Sequence, residues 1–152
     1  MGKERGPGRP DEQVALAGRL FIELRSQSPI QLQLAGPLPD ITLWFKADNR
    51  SQLQVELDRL LVEVWMQQPL AEGAVLHRYI VKPNEWIDGI RFHKYLTPAQ
   101  ADLARHRLTD ESQPGGANLR LQLSAYYNTP LGTVTVFNNM IERPRNEYSF
   151  YL

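Results

Sequence analysis

The stretch AYYNTPLGTVTV, residues 125–136, has the features of a β-hairpin near the end of the chain. Apolar residues recur at every second position before and after its centre, which is typical of strands with one buried face. The residues between the two runs are Asn, Thr, Pro and Gly, which dominate turns, and Gly132 can supply a positive φ. We therefore predict a hairpin corner at residues 128–132 that joins two long strands.

The same alternation with a period of two extends back through most of the chain. It is clearest in the three segments Leu20/Ile22/Leu24, Ile30/Leu32/Leu34 and Ile41/Leu43/Phe45/Ala47. The segment LQVELDRLLVEVWM changes phase in its middle, and a bulge near Asp58 and Arg59 would reconcile the two halves. This segment also contains good helix formers, but its β-branched residues favour a strand over an amphipathic helix.

One segment, LTPAQADLARHRL, predicts a short helix. Thr97 is a suitable N-cap, Pro98 suits the first helical position, and Gln100 completes a capping box. About seven to nine short strands with one helix indicate an all-β chain that forms a two-sheet sandwich. We assign residues 20–152 to this domain and interpret residues 1–19, which begin with Gly, Pro and charged residues, as a flexible tail.

Composition excludes several classes of function. The chain has 17 basic and 17 acidic residues, so its formal charge of zero gives no general attraction to nucleic acid. It has no Cys, which excludes disulfides and thiolate chemistry. No apolar run approaches the roughly 20 residues that span a bilayer. The expected location is the cytoplasm, or the soluble part of a membrane-anchored protein whose anchor was trimmed.

The sequence contains no recognisable catalytic motif. There is no Gly-x-Ser-x-Gly elbow, and His77, His93 and His106 fall in three separate predicted elements. Glu56 and Asp58 would share one strand face, a spacing that suits acid–base work or cation binding. Beside Lys or Arg on an outer sheet face, however, such carboxylates are more often simply solvated. We therefore expect no enzymatic activity, no cofactor and no metal site.

Large apolar side chains fall at positions that alternation turns away from the core. If Leu43, Phe45, Val62 and Val64 point inward, their neighbours must point outward. The resulting candidate partner-binding residues are Trp44, Leu61, Trp65, Tyr126 and Phe137. Such residues on a polar face indicate a surface for a protein partner, or else they lie beneath the chain's own tail, helix or C-terminal segment.

Two segments carry a resemblance to a known family. The stretch LWFKADNRSQLQVELDRLLVEVWM resembles the strand, Asn-bearing turn and next strand of the water-stress and hypersensitive-response (WHy) domain of LEA14-type late-embryogenesis-abundant proteins. The stretch LRLQLSAYYNTPLGTVTV resembles the closing hairpin of that domain. The family's Asn-Pro-Asn turn is here Asp48, Asn49 and Arg50, without proline. The resemblance implies an immunoglobulin-like or fibronectin-III-like sandwich without enzymatic activity, associated with stress protection or membrane-proximal interaction.

These observations favour a non-catalytic β-sandwich that serves binding or assembly, with a protein as its partner. Two alternatives remain open at this point. One is a stress-protective LEA14-like domain that acts through its stability and surface hydration. The other is a small carbohydrate- or metal-binding module that uses the aromatic residues and the pair Glu56 and Asp58.

Overall fold

The alternating segments form two five-stranded sheets in the computed structural model, which describes residues 8–152. The strands are β1 (Leu20–Leu24), β2 (Ile30–Gln33), β3 (Asp40–Asn49), β4 (Val55–Met66), β5 (Gln68–Val75), β6 (Tyr79–Val81), β7 (Trp86–Tyr95), β8 (Leu119–Thr129), β9 (Gly132–Arg143) and β10 (Ser149–Tyr151). The α-helices are α1 (Pro10–Ala17) and α2 (Pro98–Thr109), and two short 3₁₀ segments cover Pro114–Ala117 and Arg145–Glu147.

Each sheet is built around one long central strand. In the first sheet β3 pairs with β7 along one edge, while β1 and β2 share its other edge and β10 adds to β2 in parallel. In the second sheet β4 pairs with β8 along one edge, while β5 and β6 share its other edge and β9 adds to β8. All pairings except that of β10 with β2 are antiparallel, which agrees with the predicted all-β sandwich.

The core lies between the sheets and is filled by the inward-facing apolar side chains of the alternating strands. Buried side chains recur at every second residue of β1, where Leu20, Ile22 and Leu24 are covered and the two residues between them are exposed. In β5 the sheets approach so closely that a Cβ on Gly73 would lie 3.0 Å from the ring of Phe92 in β7. The predicted strand faces are therefore confirmed, and the sandwich is tightly packed at this edge.

The predicted hairpin and bulge are both present. Thr129 pairs with Gly132 across the turn, and Gly132 has a φ of 103°, which a residue with a side chain adopts only with strain. The register of β4 against β8 shifts between Leu57 and Arg59, at the predicted change of phase. The helical interpretation of this segment is therefore wrong, because its apolar residues serve a strand with a bulge.

The predicted helix is also present and has the predicted cap. The Thr97 hydroxyl oxygen accepts from the backbone N–H of Gln100 at 3.2 Å, and the Gln100 side-chain oxygen accepts from the backbone N–H of Thr97 at 2.9 Å. Pro98 is the first helical residue. Leu108 is buried and Leu103 is half-buried against the core, so this helix packs on the sandwich as expected.

The boundary of the folded domain needs a correction. We predicted a flexible tail over residues 1–19, but Pro10–Ala17 form a helix that contacts β9. Leu16 is only 4% exposed and joins the core, and the Gln13 side-chain nitrogen donates to the carbonyl oxygen of Leu131 at 2.7 Å. A single buried leucine and one long-range hydrogen bond leave little trace in local composition, which is why the helix was missed. Residues 1–7 lie outside the described part of the chain.

Candidate functional site

The five predicted outward residues do point away from the core, but they lie on two different faces. Trp44 is on β3 in the first sheet, between the fully buried Leu43 and Phe45. The other four belong to the second sheet, and they are Leu61 and Trp65 of β4, Tyr126 of β8 and Phe137 of β9. The set therefore does not form one continuous surface, and Trp44 must be considered alone.

Trp44 is covered by arginine side chains of its own chain. The Cζ atom of Arg25 lies 4.4 Å from the centroid of the Trp44 ring, and that of Arg91 lies 5.8 Å away. Arg25 is itself fixed, because its guanidinium donates to the carbonyl oxygens of Gln27 at 2.7 Å and Ser28 at 3.2 Å. The ring is consequently half-buried beneath arginines of β7 and of the residue after β1, which are not the segments that were expected to cover outward aromatic residues.

Two aromatic residues of the second sheet are covered in the same way. Arg120 lies opposite Trp65 across the β4–β8 pair, with its Cζ atom 5.4 Å from the ring centroid. Arg59 lies opposite Tyr126, with its Cζ atom 4.3 Å from the ring centroid. A cation over an aromatic ring is attracted by the negative face of the ring. These arginines thus shield the rings partly from solvent while keeping positive charge at the surface.

Phe137 is different because 64% of it is exposed and, among residues 8–152, no arginine lies over its ring. The register places Leu61, Ser124 and Phe137 in one row across β4, β8 and β9. Leu61 is half-buried in that row. Phe137 therefore lies on the edge strand β9, separated from Leu61 by Ser124, and aromatic residues with this exposure are frequent in binding hot spots.

A further apolar residue of this face, Met140, was not predicted from the sequence. The register of β8 against β9 shifts so that one residue of β8, Gln122, lies opposite Asn139 and Met140. In this bulge the side chain of Asn138 accepts from the backbone N–H of Met140 at 3.2 Å and donates to the carbonyl oxygen of Ile22 at 2.8 Å. Met140 is left 92% exposed.

We refer to the outer side of the second sheet around Leu61, Trp65, Tyr126, Phe137 and Met140 as the Phe137 face. Its apolar side chains come from three adjacent strands that are fixed by continuous backbone pairing. Such a surface is preformed, so a partner would bind it without first ordering a loop. The face offers packing area and shape.

Three of the side chains considered for acid–base or metal chemistry have partners of their own. Glu56 accepts from the Asn128 side-chain nitrogen at 3.0 Å, and Asp58 forms an ion pair with Arg78 at 3.0 Å. His93 pairs with Asp40 of the neighbouring strand at 2.8 Å. Among residues 8–152, no group of three or more histidine and acidic side chains is gathered closely enough to hold a metal ion.

The structure also bears on the predicted absence of a membrane span. Neither of the two α-helices found between residues 8 and 152 has the length and apolar character needed to cross a bilayer.

Comparison with known proteins gives similarity of fold. No family model matches the sequence, and neither does any curated protein. A structural-genomics target solved by X-ray crystallography aligns over 82% of this chain and 84% of its own, with 9% identity and a TM-score of 0.53. A crystal structure provisionally named ApaA from Bordetella pertussis aligns over 82% of this chain and 89% of its own, with 8% identity and a TM-score of 0.48.

The predicted resemblance to late-embryogenesis-abundant proteins is also found among the solved structures. A solution structure provisionally assigned to that group aligns over 88% of this chain and 76% of its own, with 12% identity and a TM-score of 0.49. The chain is therefore weakly similar to a LEA-type protein. At these identities the likeness concerns the fold, and it transfers no activity.

Proposed function

We propose that this chain is a non-catalytic binding or assembly module whose Phe137 face docks onto a protein partner. The observation that carries the proposal is the exposure of Phe137 and Met140, which lie three residues apart on β9. Exposed apolar side chains that cluster on a sheet are uncommon without a role in association. The surrounding Trp65 and Tyr126, each edged by an arginine, have the composition of an interface.

The arrangement of the face supports this proposal over a role in chemistry. Interface hot spots combine a central apolar anchor with a surrounding ring of residues that exclude water. Phe137 has the exposure expected of the anchor, and the half-buried Leu61 and Tyr126 lie on the adjoining strands. Glu56, Asp58 and His93 have partners of their own away from Phe137.

The proposal is tested by comparing what three forms of the protein retain from a lysate of the source organism. The forms are the parent, the double variant Phe137→Ser/Met140→Ser, and the control Trp86→Ser/Tyr95→Ser, whose two residues are 55% and 58% exposed on the first sheet. We expect a protein that is bound by the parent and the control but not by the first variant.

Affinity measurements with the purified partner complete this test. The double variant should weaken binding by about 2 kcal/mol or more, the scale of a hot spot. Thermal unfolding of all three forms serves as the folding control, since the substituted residues lie at the surface. Retention of the same partner with equal affinity by Phe137→Ser/Met140→Ser would contradict the proposed face.

A further inference from the structure

The charged side chains of the Phe137 face are satisfied within the chain, with one exception. Arg59 and Arg120 lie over the rings of Tyr126 and Trp65. Asp58 is paired with Arg78 at 3.0 Å. These three arginines are therefore already engaged by aromatic rings or a carboxylate.

The exception is the pair of carboxylates formed by Glu63 and Glu72. They lie directly opposite each other in the antiparallel pairing of β4 with β5, and both are exposed. Within residues 8–152 neither has an ion-pair partner within 4 Å, although Lys94 lines the same groove. Like charges in directly opposed positions of a sheet repel each other. Lys94 offsets this repulsion only from beyond ion-pair distance, so residues 8–152 keep two closely opposed negative charges at this point.

The repelling pair adjoins the apolar part of the face. Glu63 lies between Leu61 and Trp65, all three on the outer side of β4. Leu61 in turn belongs to the row that contains Phe137. A molecule that covers Phe137 and Leu61 therefore extends naturally over Glu63 and Glu72, where it meets two negative charges.

We propose that the partner of the Phe137 face is a protein segment that presents a basic side chain to Glu63 and Glu72 beside apolar side chains on Leu61 and Phe137. This inference rests on the proposed function and specifies the chemistry of the partner. Complementary charge favours it, because a lysine or arginine would neutralise the opposed carboxylates. An acidic segment would add to the repulsion and be rejected.

The test uses three synthetic peptides that differ in one residue, namely acetyl-Leu-Arg-Leu-amide, acetyl-Leu-Gln-Leu-amide and acetyl-Leu-Glu-Leu-amide. Each is titrated into the isotope-labelled full chain and followed by NMR chemical shifts. We expect the arginine peptide to shift the signals of Leu61, Glu63, Glu72 and Phe137. Its apparent affinity should exceed that of the glutamine peptide about fivefold, the order expected for one exposed charge interaction. The glutamate peptide should bind most weakly.

Two variants show which residues carry the preference. Glu63→Gln/Glu72→Gln removes both charges and relieves their repulsion, so it should fold normally and bind the arginine and glutamine peptides equally. The control Glu111→Gln removes one exposed carboxylate from a loop outside the strands and should keep the fivefold preference. Added salt should reduce the preference of the parent.

The outcomes separate this inference from the proposed function. Equal binding of the three peptides at the Phe137 face would overturn the basic partner but leave an apolar binding face. An arginine preference that survives in Glu63→Gln/Glu72→Gln would likewise overturn it. Absence of any shift at this face with all three peptides would contradict both the basic partner and the face itself.

Discussion

Asn49 and Ser51 hydrogen-bond to each other in the buried turn that follows β3. The side-chain oxygen of Asn49 accepts from the backbone N–H of Ser51 at 3.0 Å and from its hydroxyl at 2.6 Å. The side-chain nitrogen of Asn49 donates to the carbonyl oxygens of Leu53 at 2.7 Å and Val81 at 3.1 Å. One amide side chain therefore ties the turn to β6, the short strand beside β4.

Replacement of Asn49 should lower the stability of the whole domain. Asn49→Ala leaves buried donors and acceptors unpaired, and we expect the free energy of unfolding to fall by about 2–4 kcal/mol. Asn49→Asp should be at least as damaging, because it points a carboxylate at carbonyl oxygens. Urea unfolding measures the change, with the exposed Asn139→Ala as the matched control. A loss below about 0.5 kcal/mol for Asn49→Ala would show that the turn does not depend on this amide.

The fold could be predicted largely because strand alternation is a local property. The change of phase around Asp58 predicted a bulge, and the register shift lies there. A second change of phase, from Val136 to Ile141, was present in the sequence but was not interpreted, and it accompanies the bulge that exposes Met140. A change of phase in the apolar pattern would therefore have predicted this second bulge and the exposure of Met140.

What covers an outward side chain could not be predicted from alternation. The cations over Trp44 come from β7 and from the residue after β1, and neither is near Trp44 in sequence. The opposed carboxylates Glu63 and Glu72 likewise become neighbours only through the register of β4 with β5. Local periodicity gives the direction of a side chain, whereas its neighbours depend on the pairing of the strands.

The first helix is expected to depend on a single core contact. An isolated helix of eight residues is marginal in water, so packing must stabilise α1. Leu16→Ala should lower the free energy of unfolding by about 2–3 kcal/mol, in the range for a buried leucine. Val14→Ala, at a position 72% exposed on the same helix, should change it by less than about 0.5 kcal/mol. Chemical denaturation compares them, and equal effects would indicate that α1 does not pack as described.

Trp44 should contribute to stability to an intermediate degree. Trp44→Ala removes a half-buried ring and its contacts with Arg25 and Arg91, so we expect a loss of about 1–2 kcal/mol. Phe137→Ala removes a mostly exposed ring and should cost less than about 0.5 kcal/mol. Both values come from denaturation of the purified variants. A loss of about 3–5 kcal/mol for Trp44→Ala would instead assign this residue to the core.

Alkaline pH should destabilise the domain through two buried tyrosines. Burial raises the pKa of the Tyr127 phenol well above its ordinary value of 10.0, and burial raises the pKa of Tyr148 to about 12. In the unfolded chain both phenols lose their protons near pH 10, while the folded chain retains them. The unfolded state then binds fewer protons, so stability is fully present below about pH 10 and decreases as the pH rises toward 12.

The variant Tyr127→Phe isolates one of these two contributions. Its ring still fills the core, but it has no phenol to ionise in either state. Between pH 9 and pH 11.5 the parent should therefore lose about 2 kcal/mol more stability than the variant. Over about 1.5 pH units of this range, the Tyr127 phenol of the parent has lost its proton in the unfolded state but keeps it in the folded state. Urea unfolding at a series of pH values measures this difference. Tyr95→Phe, at a position 58% exposed, is the control for loss of one phenol. If Tyr127→Phe loses as much stability as the parent over this range, the phenol of Tyr127 is not protected by the fold.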